Sequence, residues 1–176
     1  MTYPTFTNGQ VLPASDLNAI GLWLVKSQTV GTGVSSVTVT GAFSADYDAY
    51  KIIWTGGVGS TGINLSMKLG STATGYYGFV TYGVYTGLTV FGANDNNNSS
   101  FSVIGGGDAS MMSCHIDVID PYLTKPTKVQ GAFQNASAFG TYVGRLADNT
   151  TYAAFTLTPN TGTLTGGTIR VYGYRN

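Results

Sequence analysis

The sequence predicts an all-β fold, an antiparallel β-sandwich of jelly-roll-like form. Short apolar or β-branched runs are interrupted by Gly, Asn, Thr and Ser every ten or so residues, which is typical of sandwiches and barrels. Glutamate is absent and charged residues make up only 9% of the chain, so the residues that usually cover helix surfaces are scarce. With 43% hydrophobic residues, a chain of 176 residues is long enough for one domain with its own core.

The first half of the domain contains six candidate strands, each rich in aliphatic or aromatic residues and bounded by turn residues. In the fourth of them apolar and polar residues alternate strictly, which is typical of a strand with one buried face. Two turn-rich runs, GGVGSTG at 56–62 and ANDNNNSS at 93–100, are predicted to be loops. The six strands are 22–30, 34–40, 49–55, 62–69, 76–84 and 88–91.

Six further candidate strands follow in the second half. In the last of them Ile169 and Val171 face one way, while Arg170 and Tyr172 face the other. Twelve strands lie near the upper end of the usual range for one domain, so two or three of these segments are expected to merge or to be loops. The six are 100–104, 111–119, 127–134, 138–144, 151–158 and 167–174.

One helical turn is predicted near the N-terminus. Ser15 is a suitable N-cap for a turn over 16–20, and Gly21 is a suitable stop. Such a short helix is not stable alone, so it must pack on this domain or on a neighbour. The chain is therefore divided into an N-terminal arm, residues 1–21, and a β-sandwich domain, residues 22–176.

Charge and hydropathy exclude several classes of partner. The formal net charge is zero, so binding of nucleic acid by counterion release is not expected. No apolar run is long enough for membrane insertion, and the N-terminus has no signal-peptide pattern, so synthesis in a cytosol is expected. The single cysteine, Cys114, excludes an intrachain disulfide.

The chemistry-bearing residues do not form a catalytic motif. His115 and Asp117 share one face of a predicted strand, and Cys114 points to the other, so they are interpreted as a polar strand face. Side-chain oxygens that could bind calcium occur at Asp46 and Asp48 and in the Asp-Asn-Asn-Asn run 95–98. They lack the spacing of a calcium-binding loop and are interpreted as turn residues. We therefore expect no enzyme activity, no catalytic or metal site and no cofactor.

Tyrosines are concentrated in the segment 76–85. A tyrosine ring combines a flat apolar face with a polar tip, which suits recognition surfaces and the stacking of saccharide rings. The same residues also suit a core strand or a subunit interface. The candidate recognition or subunit-interface residues are Tyr76, Tyr77, Tyr82 and Tyr85.

Four segments resemble bacteriophage tail-fibre and minor tail proteins. They are FTNGQVLPASDLNAIG at 6–21, FSADYDAYKI at 43–52 with its Phe-x-x-x-Tyr-Asp-x-Tyr pattern, DVIDPYLTKPT at 117–127, and FTLTPNTGTLTGGTIRVYGYRN at 155–176. Together they span nearly the whole chain. The motifs are structural, and the resemblance brings no catalytic residues with it.

The resemblance implies a virion structural protein, assembled in the host cytoplasm and most simply a tail fibre or tail-associated host-recognition component. A capsid decoration (cement) protein and a lectin-like carbohydrate-binding module remain alternatives. The expected partners are the chain itself as a homotrimer, other virion proteins and a host cell-surface glycan. The arm is expected to dock on virion proteins through an apolar stripe formed by Leu12, Leu17, Ile20 and Leu22.

Overall fold

The computed structural model describes residues 8, 9, 11 and 21–174, and within these residues the chain forms fourteen β-strands and no helix. The predicted helical turn, Asp16 to Ile20, lies outside the described residues. The strands are β1 Leu22–Thr29, β2 Val37–Thr40, β3 Ala49–Thr55, β4 Val58–Gly59, β5 Ile63–Leu69, β6 Tyr76–Val84, β7 Val90–Asn98, β8 Phe101–Gly107, β9 Met112–Ile119, β10 Thr127–Gln134, β11 Ala138–Leu146, β12 Ala154–Pro159, β13 Leu164–Thr165 and β14 Thr168–Tyr174.

The strands form a large and a small antiparallel sheet. The large sheet has the order β1-β14-β3-β9-β10-β11-β6-β7, and the small sheet has the order β2-β12-β5-β8. The two sheets join where β8 turns into β9, with Gly106 opposite Ser113 and Gly107 opposite Met112. The short strands β4 and β13 pair separately. All of these pairings are antiparallel, as the sequence predicts.

This strand order is a jelly roll, which confirms the predicted fold class. Between β2 and β9, each connection of two long strands crosses from one sheet to the other, and β6 to β7 is the exception. The chain crosses again from β11 to β12. Two additions enlarge the large sheet. The β10–β11 hairpin is inserted between β9 and β6, and β14 and β1 extend the sheet beyond β3.

The core lies between the two sheets and follows the period of two. In β5 the residues Ile63, Leu65, Met67 and Leu69 are all buried, whereas the residues between them are half-buried. Aromatic rings join the sheets: the ring of Phe101 in β8 meets Tyr76 edge-on, with centroids 4.8 Å apart. The described strands therefore share one continuous core.

Several predicted boundaries are wrong: the strands predicted at 34–40 and 151–158 begin at Val37 and Ala154, and the predicted loop 56–62 contains β4. Two further differences have a clear local reason. The run 93–100 is not a loop, because β7 continues to Asn98 and the carboxylate of Asp95 is buried and hydrogen-bonded in the interior. The strand predicted to end at 104 continues to Gly107. A Cβ atom on Gly105 would lie 2.5 Å from the carbonyl oxygen of Ser113, so glycine permits the close approach of β9.

Candidate functional site

The four candidate tyrosines do not form one surface. Tyr76 is fully buried, because the period of two in β6 directs it into the core and Tyr77 outward. The hydroxyl of Tyr76 accepts a hydrogen bond from the Leu69 amide at 2.9 Å, and burial raises the pKa of Tyr76 to about 12. The prediction that Tyr76 belongs to a recognition surface is therefore wrong. Tyr77 and Tyr85 lie on the outside, and Tyr82 lines a cleft.

The outward-facing part of β6, β7 and β11 carries an apolar patch, of which only Tyr77 and Tyr85 were predicted from the sequence. Phe139 and Val143 are 55% and 60% exposed although they lie in the interior of a strand. Leu88 at the β6–β7 turn is fully exposed, and Val90 is 70% exposed. We call this set the outer patch: Tyr77, Phe79, Tyr85, Leu88, Val90, Phe139 and Val143.

The rings of the outer patch are held in place by their neighbours. Tyr85 and Phe139 stack with centroids 5.6 Å apart and planes 25° apart. The hydroxyl of Tyr85 donates to the carbonyl oxygen of Asn135 at 2.9 Å and accepts a hydrogen bond from the side-chain amide of Gln134 at 3.0 Å. A hollow of about 420 Å³ lies beside Phe139, between the β6–β7 turn and β11. The Tyr85–Phe139 pair at the edge of the patch is thus held in place by its neighbours.

The outer patch contains no charge. The sequence has no Asp, Glu, Lys or Arg from 76 to 94, nor from 129 to 144. The nearest cations on the same face are Arg145 and Lys128, which are cross-strand neighbours. An aromatic centre without charges and a charged border are typical of protein–protein interfaces. The sequence does contain a signal for the patch. In the strand segment 138–144 apolar residues occupy both faces, and not only the face toward the core.

His115 and Asp117, which the sequence predicts to form a polar strand face, lie in the middle of the same outer face of the large sheet. Lys51 Nζ lies 3.2 Å from Asp117 Oδ1, and the hydroxyl of Tyr174 donates to the same oxygen at 2.7 Å. Burial lowers the pKa of Lys51, but the Asp117 carboxylate outweighs it, so the pKa is raised. Cys114 faces the core, and burial raises the pKa of its thiol to about 12. The predicted separation of His115 and Asp117 from Cys114 is confirmed.

A cleft of about 380 Å³ opens between the two sheets near the β10–β11 turn. Val80, Tyr82 and Val84 of β6 form one side of the cleft, and Asn64 and Val103 of the small sheet form the other. Its remaining lining residues are Ala93, Phe133, Asn135, Ser137 and Ala138. Only Tyr82 among these was predicted from the sequence, since residues from six separate strands and a turn come together here.

Two asparagines fix the polar side of the cleft. The Asn135 side-chain amide donates to Asn64 Oδ1 at 2.8 Å, which links the β10–β11 turn to β5. Asn135 Oδ1 accepts from the backbone amides of Ser137 and Ala138, which shapes the turn. The backbone of Asn64 is itself held by Asn160, whose Oδ1 accepts from the backbone amide of Asn64 at 2.8 Å. The two side chains are therefore positioned before any ligand arrives.

The carboxylates considered as calcium ligands make hydrogen bonds within the chain. Asp46 Oδ2 accepts from Ser44 Oγ at 2.9 Å. Asp95 accepts from the Asn98 side chain, the Ser102 amide and the Tyr142 hydroxyl. Among the described residues, no three His, Cys, Asp or Glu side chains gather as a metal site would require. In the same part of the chain, no helix has the length and apolar character needed to cross a membrane.

Of the predicted docking residues only Leu22 lies in the described part of the chain. Leu12, Leu17 and Ile20 fall outside it. Leu22 begins β1 opposite Tyr174 and is 44% exposed, and it is followed by the exposed side chains of Trp23 and Leu24.

Comparisons with known proteins identify no family. No family model matches the chain, and no curated protein matches it. Among solved structures, the tripod from the baseplate of bacteriophage Tuc2009 is 11% identical, with a TM-score of 0.21 over 100% of this chain and 75% of that chain.

Two structures of infectious bursal disease virus are also similar. The structure of the Gx strain is 10% identical with a TM-score of 0.17, and the VP2 subviral particle is 10% identical with a TM-score of 0.13. Each similarity covers 86% of this chain but only 41% and 42% of the viral chains, so this chain spans less than half of their length. These TM-scores establish no common fold, and the architecture rests on the strand order of the chain itself.

Proposed function

We propose that this chain is a structural protein of a bacteriophage particle that works as a symmetric homo-oligomer. The observation that carries the proposal is the exposed, uncharged outer patch. Its four aromatic side chains, at ~150–250 Å² each and about half exposed, present about 300–500 Å², and the exposed Leu88, Val90 and Val143 bring the total to about 600–800 Å². This exceeds the ~300–600 Å² of the largest patch on a typical monomer and approaches the ~800 Å² that each partner contributes to a stable interface.

Two further features support the virion role. The jelly roll recurs in viral capsid and lectin domains, although a fold by itself does not determine a function. The segments 6–21, 43–52, 117–127 and 155–176 resemble phage tail proteins. We therefore propose a tail fibre or tail-associated host-recognition component, built as a homotrimer, that performs no catalysis.

The oligomer is tested by light scattering on the purified chain. We expect a mass of three times 18.4 kDa for the parent protein and a monomer for Phe139→Asp and Val143→Asp. Each variant buries a charge in the proposed interface, which is strongly unfavourable without a partner. Thr158→Asp is the matched control, because Thr158 is an exposed strand residue on β12 of the small sheet, and it should remain trimeric. A monomeric parent protein contradicts the proposal.

The position on the particle is tested by antibody labelling of purified phage in the electron microscope. Label at the tail supports the tail assignment, whereas label over the whole shell makes the chain a capsid decoration protein. A chain absent from the particles contradicts the virion role. The proposed docking role of residues 1–21 predicts that a chain lacking them stays trimeric but is no longer incorporated. Unfolding of that truncated chain would show that the arm is part of the core.

A further inference from the structure

The cleft near the β10–β11 turn has a lining without charge. None of its ten lining residues is Asp, Glu, Lys, Arg or His. A phosphate, a carboxylate or a metal ion would find no opposite charge there, and burial of an unpaired charge is unfavourable. The volume of about 380 Å³ lies in the range of roughly 300–1,000 Å³ that small-molecule sites occupy. The ligand that fits is therefore small and neutral.

The cleft also presents hydrogen-bonding groups that the protein does not use. The hydroxyl of Tyr82 and the side-chain NH₂ of Asn64 have no hydrogen-bond partner among residues 21–174. The Asn135 NH₂ uses one of its two protons on Asn64 Oδ1. Half-buried polar groups of this kind need a partner, which is either water or the hydroxyls of a ligand.

An aromatic platform lies beside these groups. Phe91 stacks on Tyr82 with centroids 5.5 Å apart and planes 24° apart, and Phe133 meets Tyr82 edge-on at 6.3 Å. Because two rings hold it, Tyr82 loses little freedom when a ligand binds. A flat apolar surface next to neutral donors matches the two sides of a sugar ring, whose C–H face is apolar and whose rim carries hydroxyls.

We propose that this cleft binds a neutral hexopyranose unit of a glycan. Tyr82 and Phe133 contact the C–H face of the sugar, and Asn64, Asn135 and the Tyr82 hydroxyl bond its hydroxyl groups. The proposal rests on the host-recognition part of the proposed function and names its binding site. It separates two roles that the tyrosine-rich segment combines, since Tyr77 and Tyr85 serve assembly and Tyr82 serves recognition.

The test is saturation-transfer NMR and titration of the full chain with three neutral probes: methyl α-mannopyranoside, methyl β-galactopyranoside and N-acetylglucosamine. At least one of them is expected to bind, and N-acetylneuraminic acid is expected not to bind. Tyr82→Ala should weaken binding about tenfold because it removes the platform. The matched control Tyr172→Ala removes a half-buried tyrosine of β14, outside both the cleft and the outer patch, and should leave the affinity unchanged.

A second variant guards against misfolding of Tyr82→Ala. Ala93 is exposed and lines the cleft, so Ala93→Trp should fill it and abolish binding without removing a core contact. Failure of all three neutral probes to bind overturns the proposal. Equal binding of the acidic sugar, or unchanged binding by Ala93→Trp, overturns it as well. A chain absent from phage particles would refute the virion role and leave sugar binding intact, so the two failures are distinguishable.

Discussion

At the scale of single residues, buried tyrosine hydroxyls make hydrogen bonds in the core, within the large sheet for Tyr142 and between the two sheets for Tyr76. The hydroxyl of Tyr142 donates to Asp95 Oδ2 at 2.5 Å, and that of Tyr76 is bonded to the backbone of Leu69. Burial, followed by the Asp95 carboxylate, raises the pKa of Tyr142, and burial raises that of Tyr76 to about 12. The folded protein therefore holds these protons more tightly than the unfolded chain does.

This linkage predicts that alkaline pH destabilises the fold. Above the unfolded tyrosine pKa of 10.0 the unfolded chain binds fewer protons, so the free energy of unfolding falls as pH rises toward the folded pKa. Tyr76→Phe loses its hydrogen bonds and should be about 1 kcal/mol less stable than the parent at pH 8. At pH 11 the Tyr76 linkage lowers the stability of the parent protein by about 1 kcal/mol, so the deficit should vanish there.

Urea unfolding of both proteins from pH 8 to pH 11 measures the effect. Tyr77→Phe is the matched control, because Tyr77 is the exposed neighbour in the same strand. Its difference from the parent protein should stay the same over this range. A deficit of Tyr76→Phe that does not change with pH would contradict the prediction.

At the scale of elements, the pairing of β6 with β11 depends on glycine. Gly78 lies opposite Gly144 in the register, and the side chain of Tyr142 lies across both. A Cβ atom on Gly78 would collide with the hydroxyl of Tyr142. In contrast, Gly83 in the same strand has open space around the position of a Cβ atom.

This contrast predicts opposite effects of one substitution at two sites. Gly78→Ala should lower the free energy of unfolding by about 1–3 kcal/mol, because it overpacks a filled site. Gly83→Ala should be neutral or should raise it by about 0.4–1 kcal/mol, because it restricts the unfolded chain without a clash. Urea unfolding of the two variants measures both effects. Equal losses would show that glycine is needed for backbone flexibility and not for space.

The strands that a sequence predicts well are those in which local pattern and burial agree. Residues 49–55, 76–84 and 127–134 are found with the predicted bounds. The asparagine-rich part of β7 could not be predicted, because a distant residue, Tyr142, holds Asp95 in the interior. The cleft was also beyond sequence reasoning, apart from Tyr82, since Asn64 and Asn135 are 71 positions apart and meet only in the folded chain.

At the scale of the whole molecule, one continuous core lies between the two sheets. Cys114 lies within it on β9 and is fully buried, next to the exposed His115. A reagent reaches this thiol only when the sheets separate. Its reactivity therefore reports on opening of the whole domain and not on local motion.

We expect a thiol reagent such as Ellman's reagent to label Cys114 in proportion to the unfolded fraction as urea is raised. The pKa of about 12 further suppresses the thiolate in the folded state. The control is the double variant Cys114→Ser with His115→Cys, which places the thiol on the outside of the same strand and should react at once. Rapid labelling of Cys114 in the native protein would contradict a single cooperative core.

The β10–β11 hairpin is an insertion between β9 and β6 of the jelly roll. Its two edges are satisfied by β9 and β6, which run antiparallel to each other, so the sheet is continuous whether or not the hairpin is present. The hairpin gives Phe133 to the cleft and Phe139 and Val143 to the outer patch. Exchange of this one hairpin between related chains would therefore change both assembly and binding specificity, while the eight strands of the jelly roll keep their order.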